Sequence, residues 1–241
     1  MFNPEIGAYI AVISHARSRN VERQQSIVGP ATWYTGLGEE EEYKKAGAAA
    51  VVEVGPLCES RNAALKDAWD RGYPCIELSD DLTNLEVLHM GEWQSGKEKC
   101  FIDCAKEILR VMTKNGAYLG GIAPTANKFY YHAKRPLHTN AFIVGDFIVV
   151  RDCGLWFDEA FTLKEDYDYT LQHIQKFGLV VRANYILASF QHRKNAGGVV
   201  EYRNQKTEQE NILRLKKKWG KLIKDNPRRP NEVLMDVRSS G

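Results

Sequence analysis

The chain has 241 residues, 44% hydrophobic and 27% charged, with a formal net charge of +2. These values are ordinary for a soluble globular protein, and the length suits one large domain or two small ones. No apolar run approaches the roughly 20 residues of a membrane helix, which excludes a helical membrane span.

The single short apolar run near the start, Ala8 to Ile13, has no basic residue before it and does not read as a signal peptide. It is the first expected strand. Asn20–Val28 is helix-compatible, Ala31–Thr35 strand-like, Glu39–Lys45 helical by propensity and Ala49–Val54 a second β-branched run. Arg61–Asp70 reads as helix and Cys75–Leu78 as strand. Strands and helices alternating at this spacing predict βαβ units and a parallel sheet. Ligands of such sheets bind beyond the carboxyl ends of the strands.

A long helix follows over Lys97–Lys114, with Phe101, Cys104, Ile108, Val111 and Met112 on one side and Asn115-Gly116 as its stop. The second half is less regular. Tyr118–Ile122, Ala141–Val150 and Val180–Phe190 are β-like, and Asp166–Phe177 is helical up to Gly178. A last helix, Lys206–Ile223, sets Ile212, Leu215, Trp219 and Leu222 at apolar spacing, before Pro227 and Pro230 break the chain into a tail. With no repeat or low-complexity linker, one domain over 1–205 and a basic extension over 206–241 are expected.

Charge is unevenly spread. Between Arg203 and Pro230 there is a local excess of +7, leaving about −5 on the rest. A basic segment on a mildly acidic body suits a polyanion or an anionic lipid surface. The five cysteines are odd in number and form no Cys-x-x-Cys. Cys100 and Cys104, one turn apart, read as small buried side chains, and a reducing cytoplasm is expected.

The sharpest chemical feature is Cys75-Ile76-Glu77-Leu78-Ser79-Asp80-Asp81-Leu82, a short apolar segment running into two carboxylates. Such a pair at the lip of a sheet can hold a divalent metal, or it can cap a helix running through Leu85 and Leu88. Arg61 suits bidentate phosphate contact or a surface ion pair with Asp67 or Glu59. Glu165 and Asp166, at a helix start, are favoured there by the helix dipole and can equally serve as a general base. His192 comes directly after a strand, beside Arg193 and Lys194, a setting for a metal ligand with phosphate contacts. Gly36-Leu37-Gly38 lacks a further glycine, so no dinucleotide fingerprint is present.

In order, these motifs resemble the GT-A-fold glycosyltransferases: Ser14-His15-Ala16-Arg17, Glu59-Ser60-Arg61-Asn62-Ala63-Ala64, Leu78-Ser79-Asp80-Asp81-Leu82, Phe157-Asp158-Glu159, Lys164-Glu165-Asp166-Tyr167-Asp168 and the post-strand His192. Within that fold the chain resembles the phage and eukaryotic TET/JBP-associated glycosyltransferases, linked to sugar transfer onto hydroxymethylated pyrimidines of DNA. The resemblance covers roughly residues 8 to 195. It implies an α/β, Rossmann-like fold, with a mixed, mostly parallel central sheet flanked by helices and a C-terminal basic helical extension.

It further implies a UDP-sugar donor, glucose or arabinose foremost, and Mn²⁺ or Mg²⁺ on Asp81 and His192. Ser14, His15, Arg17, Arg61, Asp80 and Arg193 would line the nucleotide-sugar pocket. Asp166, with Glu165 as second choice, would deprotonate the acceptor, which implies inversion. Ser79 stands where a carboxylate is usual in the family.

For the acceptor, Tyr130 and Tyr131 interleave with Lys134 and Arg135 in a segment suited to stacking on an extruded base, or to an ordinary surface loop. Arg214, Lys217, Lys218 and Lys221 suit phosphate contact, or a solvated helix face. With the resemblance, these favour double-stranded DNA carrying 5-hydroxymethylcytosine, with no membrane partner, in the cytoplasm of a host cell if the chain is phage-encoded. A glycan acceptor in surface polysaccharide synthesis and a non-catalytic nucleotide- or DNA-binding module are the alternatives.

Overall fold

The computed structural model describes residues 1–191, 198 and 203–237. Strand β1 (Phe2–Asn3) pairs antiparallel with β2 (Ala8–Ile13). Helix α1 (Val21–Val28) leads to β3 (Thr32–Thr35), and α2 (Glu40–Lys45) to β4 (Ala50–Glu53). Helix α3 (Leu57–Trp69) returns the chain to β5 (Cys75–Ser79). A hairpin of β6 (Leu82–His89) and β7 (Glu92–Ser95) precedes α4 (Glu98–Asn115) and β8 (Leu119–Ile122). Then come β9 (Leu137–His138), β10 (Phe147–Val150), α5 (Glu165–Phe177), β11 (Val181–Ala183) and β12 (Ile186–Phe190). Helix α6 (Gln205–Trp219) and the hairpin of β13 (Ile223–Asp225) and β14 (Val233–Met235) end the described chain.

The nine-stranded central sheet runs β4-β3-β2-β5-β10-β8-β11-β9, with β1 attached to β2. Strands β4, β3, β2 and β5 are mutually parallel, β10 is inserted antiparallel, and β8 and β11 resume the original direction. This is the mixed, mostly parallel α/β sheet that the resemblance implied, with the parallel βαβ units expected from the alternation of strands and helices in its first half. A separate three-stranded sheet, β12-β6-β7, begins at Leu82.

Side chains alternate across the strands and divide the core by face. Ile10, Val12, Ile76, Leu78, Phe147 and Val149 pack against α1 and α4. Tyr9, Ala11, Cys75, Ile148 and Val150 pack against α3, α5 and α6. Helix α4 buries Phe101, Cys104, Ile108, Val111 and Met112, the expected stripe. It stops at Gly116, whose left-handed φ of 71° lets its N–H reach the carbonyls of Met112 and Thr113.

Three expectations change. The helix allowed for Leu85 and Leu88 is strand β6, so Asp80-Asp81 caps no helix there. The run Val180–Phe190 is cut at Asn184-Tyr185 into β11 and β12, which belong to different sheets. The tail around Pro227 and Pro230 is the loop of a hairpin.

Helix α6 is built into the core. Ile212, Leu215 and Trp219 join the cluster formed by α3, α5 and the sheet, with Ile223 and Val233 of the hairpin beside them. Trp219 also donates from Nε1 to Asp168 Oδ1 at 2.7 Å. Trp219→Ala is therefore expected to cost about 3–5 kcal/mol, read as a lowered midpoint in urea unfolding. Removal of residues 206–241 is expected to leave no cooperative unfolding transition.

Candidate active site

The carboxyl ends of β2 and β5 lie side by side because Ile13 pairs with Ser79 in parallel register. The next residues, Ser14 and Asp80, consequently meet, and Ser14 Oγ donates to Asp80 Oδ2. Ser14 Oγ also shares a hydrogen bond with the Tyr43 hydroxyl of α2, which accepts from the Arg17 N–H at 3.0 Å. The turn reverses at Ala16, a non-glycine residue at φ 53°. That strain brings the Arg17 guanidinium back over the carboxylates. Its Nη1 lies 3.0 Å from Asp80 Oδ1 and 3.9 Å from Asp81 Oδ2.

Asp80 and Asp81 are each 1% exposed and Arg17 6%. Burial pushes the Asp80 carboxyl up to about 6, against the lowering pull of Arg17 and the Ser14 hydroxyl. Ser79 donates from Oγ to Asp81 Oδ1 at 3.0 Å. His15 is half exposed at the rim, its Nδ1 2.6 Å from Glu39 Oε1. Glu39 also accepts from the backbone of Ala16 and Gly36, which ties the ends of β2 and β3 together. The Gly198 N–H donates to the His15 carbonyl, so part of the chain after β12 returns to this rim.

Asp166 lies in the first turn of α5, after Lys164 in the left-handed region at φ 64°. Its Oδ2 accepts from the Gly145 N–H at 3.2 Å, and its Oδ1 from the Tyr167 N–H at 2.9 Å. The carbonyl of the residue after Gly145, Asp146, accepts from the Ser79 N–H at 2.9 Å. Two consecutive residues, Gly145 and Asp146, thus join the candidate base to the carboxylate strand. Burial first, and the neighbouring Glu165 second, raise the Asp166 carboxyl to about 7.

Arg61 occupies a different place from the pocket contact or surface pair expected of it. It is buried, with Nη1 2.9 Å from Glu77 Oε2 and Nη2 3.0 Å from the Gly145 carbonyl and 3.3 Å from Glu165 Oε1. Its charge is spent inside the protein, so direct contact with a diphosphate is corrected to support of the Gly145 loop. Glu77 and Gly145, which complete this arrangement, went unnoticed in the sequence. A glutamate inside an apolar strand was the available signal for the first.

Helix α6 seats the start of α5. Asn211 Oδ1 accepts from the N–H groups of Thr162 and Leu163, and Glu208 pairs with Lys164 at 2.6 Å. Lys218, expected on a phosphate-binding face, pairs with Asp158 and Asp168, each at 2.8 Å. Arg214, Lys217 and Lys221 are exposed on the outside.

The loop carrying Tyr130, Tyr131, Lys134 and Arg135 leans on the three-stranded sheet that starts beside Asp81. Tyr131 meets Trp93 edge-on at 5.6 Å, and Lys128 lies over Trp93 and pairs with Glu86. Tyr130 is exposed beside the still more exposed Phe129, and Lys134 and Arg135 face solvent.

His192 and Arg193 lie outside the described residues. Among the described residues, no group of three or more His, Cys, Asp and Glu side chains could hold a metal ion. The described donors, Asp81 and Asp80, already share the Arg17 cation, and this set alone does not fit Mn²⁺ or Mg²⁺. No described helix is long and apolar enough to cross a membrane.

No family model matches the chain, and no curated protein is similar to it in sequence. Solved structures resemble it loosely. One is mannose-1-phosphate geranyltransferase from Thermus thermophilus, at 11% identity and a TM-score of 0.39, covering 76% of this chain and 57% of that one. This chain therefore spans little more than half of that protein's length. Another is CMP:2-keto-3-deoxy-manno-octonic acid synthetase complexed with CTP, at 9% identity and a TM-score of 0.41, covering 87% and 99%. At these scores no residue role or activity passes from either to this chain.

Proposed function

We propose that the chain is an inverting glycosyltransferase that moves a sugar from a nucleoside-diphosphate sugar to the hydroxymethyl group of 5-hydroxymethylcytosine in double-stranded DNA. The observation that carries it is the Gly145-Asp146 link, which joins Asp166 to the strand end bearing Asp80 and Asp81. A buried carboxyl near neutrality suits a base, and a polar strand end beside it suits a donor.

In this reading the donor lies across the ends of β2 and β5, against Ser14, His15, Arg17 and Asp80. The acceptor hydroxyl attacks the anomeric carbon from the side opposite the diphosphate. Asp166 takes the hydroxyl proton as the new C–O bond forms, and the bond to the diphosphate breaks with its electron pair on the leaving oxygen. Single displacement inverts the anomeric centre. Gly145 and the first turn of α5 hold the carboxylate in place through this step.

The test is mass spectrometry of hydroxymethylcytosine DNA incubated with the protein, a panel of nucleotide sugars and Mn²⁺. One sugar residue of added mass per modified base is expected. No gain with any donor sinks the proposal.

The acceptor half rests on the exposed Tyr130 beside Lys134 and Arg135, and on Arg214, Lys217 and Lys221. Cationic contacts to phosphate release counterions, so affinity falls steeply with salt. Charge reversal at Arg214, Lys217 and Lys221 together is expected to flatten the slope of log affinity against log salt by about 2–3, in fluorescence anisotropy with labelled duplex. An unchanged slope places the DNA surface elsewhere.

A further inference from the structure

Glu77 violates the pattern of its own strand. β5 is buried along most of its length, and Glu77 is 0% exposed between Ile76 and Leu78. Its side chain points to the face shared with α3 and α5, where its ion-pair partner among the described residues is Arg61. One oxygen, Oε1, has no hydrogen-bond partner among the described residues, and neither has Arg61 Nε. Apolar residues of similar volume in place of such a pair are often neutral or stabilising, so fold stability gives no account of it.

The arrangement has a direction. Glu77 anchors one end of the guanidinium, whose other end holds the Gly145 carbonyl and Glu165. Gly145 in turn donates its N–H to Asp166. The approach is so close that a Cβ on Gly145 would lie 2.6 Å from Arg61 Nη2 and 3.4 Å from Asp166 Cβ. One arginine thus serves three carboxylates on two elements: Glu77 of β5, and Glu165 and Asp166 of α5.

We propose that Glu77 is a positioning residue for Asp166: by fixing Arg61 and drawing on its charge, it sets both the seat and the proton affinity of the candidate base. The proposal rests on the reading of Asp166 as the base. The groups facing Asp166 are Glu165 and Tyr167 on its own helix, Arg61 from α3, and Asp146 beside the Gly145 N–H on the loop. Those facing Glu77 are Arg61 from α3, Glu165 and Tyr169 from α5, and Cys75 on its own strand. Burial raises the Glu77 carboxyl to about 7 despite Arg61, and Asp166 sits at about the same value. The two carboxyls do not touch; what links them is Arg61 and Glu165, which act on both. Without the Glu77 charge, more of the Arg61 field falls on Glu165 and Asp166, and Asp166 becomes the stronger acid.

The experiment follows the Asp166 side-chain carboxyl by carbon NMR in the full chain labelled at aspartate, with Asp166→Asn assigning the signal. Wild type is expected to titrate near neutrality. In Glu77→Gln, which keeps the shape and an acceptor oxygen for Arg61, the midpoint is expected to fall by about one pH unit. An unmoved or raised midpoint in the folded variant overturns the proposal. Should Glu77→Gln not fold, Arg61→Lys replaces it. A lysine keeps the charge but loses the planar fork that spans Glu77 on one side and the Gly145 carbonyl and Glu165 on the other, so the Asp166 midpoint is expected to shift, and an unmoved one overturns the proposal. Sugar transfer is a separate arm. Absence of transfer by wild type defeats the enzymatic reading and leaves the titration result standing. With transfer present, the acid limb of the pH–rate profile is expected to shift in Glu77→Gln with the NMR midpoint.

Discussion

Asp166→Asn is expected to lower sugar transfer by about 10²–10⁴-fold, the usual contribution of a positioned base. Donor affinity, measured by calorimetry with the nucleotide sugar, is expected to stay within a factor of about two, because the base acts on the acceptor. A variant with wild-type turnover removes Asp166 from the mechanism. Wild-type activity should climb as pH rises through about 7, since the base works only when deprotonated and its carboxyl is held up to about 7. Stability runs the opposite way. A carboxyl raised above its unfolded value favours the folded state most below that unfolded value. The advantage is lost as pH rises through the folded value of about 7. Asp166→Asn should accordingly gain stability relative to wild type between about pH 4 and pH 8, in paired denaturant titrations.

Arg17→Met is expected to be the most destabilising single change at the donor side. It leaves Asp80 and Asp81, each 1% exposed, without the guanidinium that lies 3.0 and 3.9 Å from them. Removing one partner of a buried ion pair costs about 3–5 kcal/mol, or a melting point lower by roughly 10 °C for a chain of this size. Adding Asp80→Asn to Arg17→Met removes the pair more nearly as a unit and should recover most of that loss. In the proposed reading Arg17 lines the donor pocket, so donor affinity should stay weakened in the double variant even as stability returns. If the double variant is as unstable as the single one, Arg17 stabilises the fold by some route other than these carboxylates.

The regular first half of the molecule was legible because its strands and helices are short, periodic and punctuated. From Ala8 to Ser79 the expected elements lie within a few residues of those observed, as do α4 and α5. What periodicity does not carry is partnership between distant segments. Leu82–His89 has apolar residues spaced to serve a helix or a strand, and pairing with β12, about a hundred residues later, decides for the strand. The site divides the same way. Ser14, Asp80 and Asp81 stood out by their place at strand ends. Arg61 stands out as a cation, but its buried environment is not legible locally, because its partners Glu77, Gly145 and Glu165 come from three other parts of the chain. Lys218 belonged by sequence to a basic stripe and by contact to Asp158 and Asp168.

The fastening of α5 by α6 has a consequence for how the protein is made. Asp168 is held by Trp219, 51 residues further along the chain, and Thr162 and Leu163 by Asn211. During synthesis the segment with Asp166 emerges well before the helix that seats it. At roughly 5–20 residues per second the interval is several seconds, during which α5 has the sheet beneath it but not its outer cover. A ribosome stalled in this stretch would hold a nascent chain that has Asp166 but not the helix that seats it, with the inner face of α6 still to come.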